Sequence, residues 1–248
     1  QNPLLSLHSW FDEVEKTIEQ RNILLVLDEI MSLEYLFETG KLQASVILGW
    51  LRSQIQHRQY LKVLLPDSHP FTELKHWATY LINIQIIPIN FLTSQETRQL
   101  VEQPVPEFPL YYMPDAVERV LQLTFGHPAL VQLLCYNIVK LKNSQVKEQR
   151  FTAIFEDVNV AAVNTLTQGQ FYFADIENQL EAEYCFILRF IARQGEGVNV
   201  AITDIMQRYP DNYELCLQRS CELGLIRMID HHACCFQVEL IRRYCCNV

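Results

Sequence analysis

The feature that most constrains this chain is a run of five apolar residues followed at once by two acids: Ile23-Leu24-Leu25-Val26-Leu27-Asp28-Glu29. A short apolar run of this kind is typical of a β-strand buried on both faces, as in a parallel sheet covered by helices. The two acids would then lie at the carboxyl end of the strand, where open α/β sheets bind ligands. The run alone is equally consistent with a buried strand that ends in two solvated acids.

Composition excludes several classes of protein. The 248 residues are 49% hydrophobic and 20% charged, which predicts a folded chain of one large or two ordinary domains. The net charge of −9 argues against broad contact with nucleic-acid backbones. We find neither a long apolar run nor a signal-peptide pattern, so we expect a cytoplasmic protein without a membrane span. The chain begins with Gln1, which favours a fragment of a longer protein.

The cysteines are concentrated in the last quarter of the chain. Of eight, all except Cys135 follow residue 184. His231, His232, Cys234 and Cys235 cluster in sequence, but a zinc site needs a second pair of ligands at usable spacing, and none faces them. We therefore expect reduced thiols, several of them buried as small apolar groups, with zinc binding as the minor alternative.

The first ninety residues alternate between helical and strand patterns. We predict a helix over 4–20 and a second short strand at Leu61–Leu65. A third strand is predicted at Ile82–Ile89, where Pro88 lies near the end and is tolerated. Helices are predicted between these strands, at Leu42–Gln59 and Phe71–Tyr80. This rhythm is typical of parallel βαβ units.

From residue 93 the pattern becomes helical. Helices are predicted at Ser94–Val101, Asp115–Thr124 and Ala129–Leu141, with Pro114 in the first turn of the second. The last two are joined by Phe125-Gly126-His127-Pro128, in which glycine can end one helix and proline can open the next. An α/β part is thus followed by a small helical part.

The C-terminal third has a different organisation. Residues 142–156 indicate a connection or an exposed helix end, and 157–177 are ambiguous. Three helices then follow from Leu180, and two strands form a hairpin across His231-His232. This order is similar to that of a winged helix-turn-helix domain. We therefore divide the chain into four parts: a partial α/β core (1–92), a helical lid (93–145), a connector (146–179) and a winged helix (180–248).

Taken together, the chain resembles the C-terminal two thirds of an ATPase module of the STAND group, signal-transducing relatives of AAA+ ATPases. Leu24–Glu29 is similar to the family's Walker B strand, Leu61–Leu65 to its sensor strand, and Pro114–Cys135 to its lid. The fold class implied is a partial parallel-sheet P-loop NTPase core followed by an all-α lid and a winged helix.

The resemblance also implies roles for individual residues. Asp28 would bind the Mg²⁺ of a nucleotide, and Glu29 would be the catalytic base that orients the attacking water. Gly126, His127 and Pro128 would form the lid turn that approaches the nucleotide, with His127 near phosphate and Pro128 near the base. A plain helix–helix corner is the alternative for these three residues.

The chain departs from this family at several positions. It contains no Gly-x-x-x-x-Gly-Lys-Ser/Thr, the loop that cradles phosphates. Gly40-Lys41 is followed by Leu42 where a hydroxyl is required, and Phe125 replaces a glycine favoured in the lid turn. Pro66-Asp67-Ser68 offers no sensor Asn or Arg. We therefore expect ATP or ADP with Mg²⁺ in the complete protein and no cofactor in this chain alone.

The function implied is a nucleotide-dependent regulatory switch in signalling or defence. This chain by itself is not expected to hydrolyse ATP. Its expected partners are the other domains of its own longer chain, together with protein partners or further copies. The alternative is a protein-interaction scaffold built on a degenerate ATPase fold. A DNA-binding regulator is disfavoured, because the predicted recognition helix has Glu214 and Glu222 against a single Arg219.

Overall fold

A computed structural model describes residues 3–18, 21–67, 74–81 and 84–247. The chain divides into two compact units, Gln1–Pro88 and Ile89–Val248. The finer division into four domains stays a prediction.

The first unit combines helices with a pair of parallel strands. Its elements are α1 (Pro3–Thr17), β1 (Ile23–Val26), α2 (Met31–Glu38), α3 (Ala44–His57), β2 (Leu61–Leu64) and α4 (Lys75–Tyr80). The strands pair in parallel from Ile23 opposite Leu61 to Val26 opposite Leu64. Both strands predicted from the apolar runs are therefore present, and their carboxyl ends lie side by side.

One face of this strand pair is buried and the other is open. The core under the buried face consists of large apolar residues from α2, α3 and their neighbours: Ile30, Phe37, Leu48, Leu51, Leu74, Trp77 and Leu81. On the opposite face Leu24 is 62% exposed and Val26 is 49% exposed. The prediction that β1 is buried on both faces is thus wrong, because the described helices of this unit pack against one side only.

The third predicted strand, Ile82–Ile89, is also not formed in its described part. Residues 84–90 have no strand conformation, while residues 82–83 lie outside the described residues. The isoleucines favour a strand, but a strand needs a neighbour that supplies N–H and C=O partners. Among the described residues β1 and β2 pair with each other, and neither pairs with this segment.

Helix α1 is attached to the end of α3 by one buried arginine. The Arg58 guanidinium lies 2.6 Å from an Asp12 oxygen and 2.7 Å from Glu15 Oε2. Its carbon also lies 5.4 Å from the centre of the Phe11 ring. Arg58 is buried, and its two acidic partners on α1 are partly exposed. These contacts hold α1 against the end of α3.

The second unit is mainly helical. Its helices are α5 (Ser94–Glu102), α6 (Pro114–Thr124), α7 (Pro128–Ser144), α8 (Phe155–Gln168), α9 (Gln170–Asn178), α10 (Ala182–Ala192), α11 (Ile202–Arg208), α12 (Tyr213–Glu222) and α13 (Glu239–Asn247). Its strands are β3 (Tyr111–Tyr112), β4 (Thr152–Ala153), β5 (Val200–Ala201), β6 (Ile226–Ile229) and β7 (Ala233–Phe236). Strands β3 and β4 pair in parallel, and β5, β7 and β6 form an antiparallel sheet in that order.

Two predictions for this unit need correction. The ambiguous stretch 157–177 lies in α8 and α9. The predicted second hairpin strand, Cys234–Leu240, ends at Phe236, and the chain closes with helix α13. The three helices and the hairpin that the sequence predicted from Leu180 are present in that order.

A single hydrophobic core runs through the second unit. It contains fully buried residues from α6, α7, α8, α10 and α13, including Val120, Leu134, Ala161, Ile191 and Leu240. A buried ion pair joins α7 to α8, since Lys142 Nζ lies 2.7 Å from Asp157 Oδ2. Helix α13 packs on α6, α8 and α10 and thereby connects the C-terminal hairpin to the helices before it.

Candidate functional site

Asp28 and Glu29 lie immediately beyond the carboxyl end of β1. The ladder extends one residue past the strand, because Leu27 N–H donates to the Leu64 carbonyl at 3.0 Å. Both acidic residues are exposed. The Glu29 N–H donates to Asp28 Oδ1 at 3.0 Å, and the Glu29 backbone is left-handed with φ of 54°. This conformation is energetically unfavourable for a residue with a Cβ, and residues in such conformations are common at functional sites.

A third acid, Asp67, lies at the same edge of the sheet. It follows the carboxyl end of β2, and its Oδ2 accepts a hydrogen bond of 2.8 Å from the Met31 N–H, the first residue of α2. A carboxylate at a helix N-terminus is favoured by the helix dipole. Asp67 therefore ties the chain that follows Glu29 to the end of β2. Asp67 had no sequence signal of its own, because the family's sensor position is occupied by Asn or Arg.

Asp28 and Glu29 are the residues of this edge that could hold a divalent cation. Exposed carboxylate oxygens are ligands that Mg²⁺ accepts, with water and substrate phosphates completing the shell. The phosphate half is not provided, because the sequence holds no phosphate-cradling glycine loop with its lysine. In the part of the chain that the structure describes, no group of three His, Cys, Asp or Glu side chains is placed to hold a metal.

The predicted lid turn belongs to the second unit. Gly126 has φ of 75°, and a Cβ at this position would lie 2.1 Å from the Leu92 carbonyl oxygen. Leu92 N–H in turn donates to the Gly126 carbonyl at 2.9 Å. Only glycine fits this close approach, so the turn is fixed against the segment that leads into α5. Phe125 is also left-handed, with φ of 49°, and Pro128 is the first residue of α7.

His127 is enclosed by aromatic residues of its own unit. Its ring lies between Phe91, at 4.7 Å between ring centres, and Tyr172, at 5.5 Å. The Tyr172 hydroxyl lies 2.7 Å from Nε2 in a hydrogen bond, whereas the buried Nδ1 has no partner among the described residues. Burial lowers the pKa of His127 and raises the pKa of Tyr172 to about 12. The lowered pKa favours the neutral imidazole, and both ring nitrogens face the interior of this unit.

The predicted site residues thus fall into two groups. Asp28 and Glu29 are adjacent at one sheet edge of the first unit, while Gly126, His127 and Pro128 form one turn of the second. Their roles stay predictions. Tyr172 and Phe91, which hold His127, had no sequence signal of their own.

The cysteines are free thiols, and four of them are buried: Cys216, Cys234, Cys235 and Cys245. Burial raises the pKa of Cys234 and of Cys245 to about 12, which keeps these thiols protonated and unreactive. The expectation that several cysteines act as small buried apolar groups is confirmed. Over the described ranges, no helix is both long and apolar enough to cross a membrane.

Comparison with solved structures identifies the fold. A Walker-type ATPase of Pyrococcus abyssi superposes with a TM-score of 0.62 at 14% identity, over 90% of this chain and 63% of that one. The chain shares the fold of this Walker-type ATPase. A RuvB mutant of Thermotoga maritima matches at a TM-score of 0.45 and 16% identity, over 86% of this chain and 67% of the RuvB chain. No family model and no curated protein matches the sequence.

This likeness confirms the coarse prediction of a mixed α/β P-loop ATPase fold. At 14% identity it concerns the fold alone, and the chain spans about 63% of the length of the archaeal ATPase. Membership of the STAND group, the lid and the winged helix are not part of what it shows.

Proposed function

We propose that this chain is part of a STAND-type regulatory ATPase, in which a P-loop outside the 248 residues completes the nucleotide site. The observation that supports this most is the Asp28-Glu29 pair, which directly follows a parallel strand at the ligand-binding edge of an AAA+-like fold.

The roles follow from the chemistry of phosphoryl transfer. Mg²⁺ bound with a nucleotide neutralises charge on the phosphates. Asp28 presents an exposed carboxylate as its ligand, and Glu29 orients the water that attacks the terminal phosphate. Asp67 positions both acids through its hydrogen bond to Met31. The backbone amides and the lysine that hold the phosphates come from the P-loop segment.

We further propose that the C-terminal part is a winged helix that holds the lid turn in a closed state. Arg227 of β6 lies over the Phe125 ring at 5.8 Å, and a Cβ on Gly224 would lie 3.4 Å from the Phe91 ring. Strand β6 and the glycine before it thus contact two aromatic residues near the turn that contains His127. DNA binding is not supported, since Arg219 of α12 pairs with Glu222 on the same helix.

Nucleotide binding to the natural protein, including the sequence that precedes Gln1, tests this proposal. With a fluorescent ADP and a Mg²⁺ titration, Asp28→Asn should weaken Mg²⁺-dependent binding roughly tenfold or more. Glu29→Gln should keep binding and lower the hydrolysis rate about 100-fold. Glu13→Gln, which removes an exposed carboxylate of α1, is the matched control and should change neither. Unaltered binding and hydrolysis in both Asp28 and Glu29 variants would refute the proposal.

A protein-interaction scaffold is the second candidate, favoured by the open apolar face formed by Leu24, Val26 and Leu64. A scaffold has no use for Mg²⁺ at Asp28. It therefore predicts that Asp28→Ala leaves the melting temperature in Mg-ATP unchanged, whereas Leu24→Asp abolishes partner binding. The partners we propose for either function are other domains of the same longer chain.

A further inference from the structure

Three charged side chains from separate elements converge in the second unit. Both terminal nitrogens of Arg119, on α6, donate to the two carboxylate oxygens of Glu196, the second bond at 3.1 Å. Glu196 lies in the loop after α10. Arg243 of α13 donates from Nη2 to Glu196 Oε2, also at 3.1 Å. This is the forked geometry with which arginine binds carboxylates and phosphates.

The two arginines are held in place by contacts that do not involve Glu196. Arg119 donates from Nε to Asn159 Oδ1 at 3.0 Å and from Nη1 to Gln122 Oε1 at 3.1 Å. Its guanidinium carbon lies 5.6 Å from the centre of the Phe155 ring. Arg243 donates from Nε to Glu239 Oε1 at 2.9 Å. The donors are thus positioned in advance, and they would keep their arrangement if Glu196 moved away.

Glu196, by contrast, belongs to a surface loop that contains two glycines. It lies between Gly195 and Gly197, whose φ angles are 121° and 68°. A Cβ on Gly197 would meet nothing within 4 Å, so the loop is not packed at that point. The Glu196 side chain is 39% exposed, whereas that of Arg119 is only 10% exposed. The Arg119 side chain is thus largely buried, whereas the Glu196 side chain is partly open to solvent.

The local charge balance requires an anion at this position. Glu239 pairs with Arg242 at 2.6 and 2.7 Å and with Arg243. Without Glu196, Arg119 would keep only the uncharged partners Asn159 and Gln122, and Arg243 would share Glu239 with Arg242. A largely buried charge that loses its counter-ion is destabilising, so an anion at this position is favoured.

We propose that Arg119 and Arg243 form a binding site for an external phosphate or carboxylate group, and that Glu196 is its resting occupant. An incoming anion takes the place of the Glu196 carboxylate and releases the Gly195–Gly197 loop. This site is independent of the nucleotide site proposed above, since it needs neither Asp28 nor a P-loop.

Thermal unfolding of the 248-residue chain, titrated with sodium phosphate at constant ionic strength, tests the site. Glu196→Ala empties the clamp, so its melting temperature should rise saturably with phosphate. In the unsubstituted chain the tethered Glu196 competes at high effective concentration, so half-saturation should need roughly tenfold more phosphate or greater. Glu118→Ala removes another carboxylate that pairs with an arginine, Arg98, and serves as the control that behaves like the unsubstituted chain.

Two further variants make the result decisive. Glu196→Gln keeps the side-chain volume and serves if the alanine variant fails to fold. Adding Arg119→Lys keeps the charge but loses the fork, so the tenfold gain should disappear. A parallel acetate titration distinguishes the ligand classes, because the anion that shifts the melting temperature at lower concentration identifies the preferred one. If neither anion stabilises the Glu196 variants more than Glu118→Ala, the site does not exist.

Discussion

The two units of this molecule differ in how completely they bury their apolar side chains. In Ile89–Val248 a single core runs through helices from α6 to α13, and residues such as Leu134 and Ile191 are fully buried. In Gln1–Pro88 a smaller cluster lies under one face of two parallel strands, while Leu24 and Val26 on the other face remain exposed. Parallel sheets are normally covered on both faces. The described part of the first unit therefore leaves one strand face uncovered, and we expect the second unit to be the more stable of the two.

The largest effect expected from this difference is seen when the units are expressed separately. Residues 89–248 should unfold in a single cooperative transition, because their core is closed. Residues 1–88 should show no cooperative transition, because a two-stranded sheet open on one face buries too little apolar area. Circular dichroism during urea unfolding measures both. A cooperative transition in residues 1–88 would contradict the conclusion that the first unit buries too little apolar surface to fold alone.

The same substitution in each unit measures the contrast residue by residue. Leu134→Ala removes a fully buried side chain of α7 and should lower the free energy of unfolding by about 3–4 kcal/mol. Leu24→Ala, at a largely exposed strand position, should lower it by about 0.5 kcal/mol or less. Chemical denaturation of both variants gives the two values. Equal losses would show that the Leu24 face is covered in solution.

Much of the fold could be predicted from apolar periodicity, and the failures have physical causes. Helix α8 was missed because its buried face is built from small residues, Ala161, Ala162 and Thr165, while Val160 and Val163 point to solvent. The strand predicted at Ile82–Ile89 was wrong over its described part because β-propensity does not supply a partner strand.

The candidate site was predictable only where it is local in sequence. The position of Asp28 and Glu29 after β1 follows directly from the apolar run. The bonds that complete each site join residues far apart in sequence: Asp67 to Met31 across 36 positions, and Tyr172 to His127 across 45. No spacing rule links such pairs, so only the folded chain shows them.

Ion pairs provide a third comparison between the units. Lys142 and Asp157 in the second unit are both buried, so Lys142→Met leaves a carboxylate without its cation and should cost about 3 kcal/mol. Lys75 and Glu38 in the first unit are both well exposed at 3.3 Å, so Lys75→Met should cost about 0.5 kcal/mol or less. When unfolding is measured in low and in high salt, the stability loss of Lys75→Met should depend on the salt concentration, whereas that of Lys142→Met should hardly change.

Among the described residues, left-handed non-glycine residues occur in both units, Glu29 in the first and four in the second, and the strain at Glu29 can be relieved. A left-handed backbone costs a non-glycine residue about 1–2 kcal/mol. Glycine removes this strain, but it loses more conformational entropy on folding, which offsets part of the gain. Glu29→Gly should therefore stabilise the chain by about 0.5–1 kcal/mol. Glu29→Ala, which keeps a Cβ, should give no such gain. In Phe125→Gly the relief is offset by the lost contact with Arg227. A destabilised Glu29→Gly would show that no strain is stored there.

The smallest effect expected is a difference in acid sensitivity. Hydrogen bonds from Arg119 and Arg243 lower the pKa of Glu196 from its usual 4.5 to about 2. Because the folded-state pKa lies below the unfolded one, the stabilisation is complete above pH 4.5 and is lost as the pH falls through 2. The stability difference between the unsubstituted chain and Glu196→Gln should narrow over this window. A difference that stays constant down to pH 2 would contradict the ion-pair assignment.

The central claim is that the open first unit is the Walker B half of an ATP-binding core. The measurement that tests it most directly is the sequence of the natural gene over roughly the hundred codons that precede Gln1, enough for one further α/β segment. We predict a strand followed by Gly-x-x-x-x-Gly-Lys-Ser/Thr, which would complete the site at Asp28 and Glu29. A start codon directly before Gln1, or a preceding coding region without that loop, would contradict an ATP-driven switch.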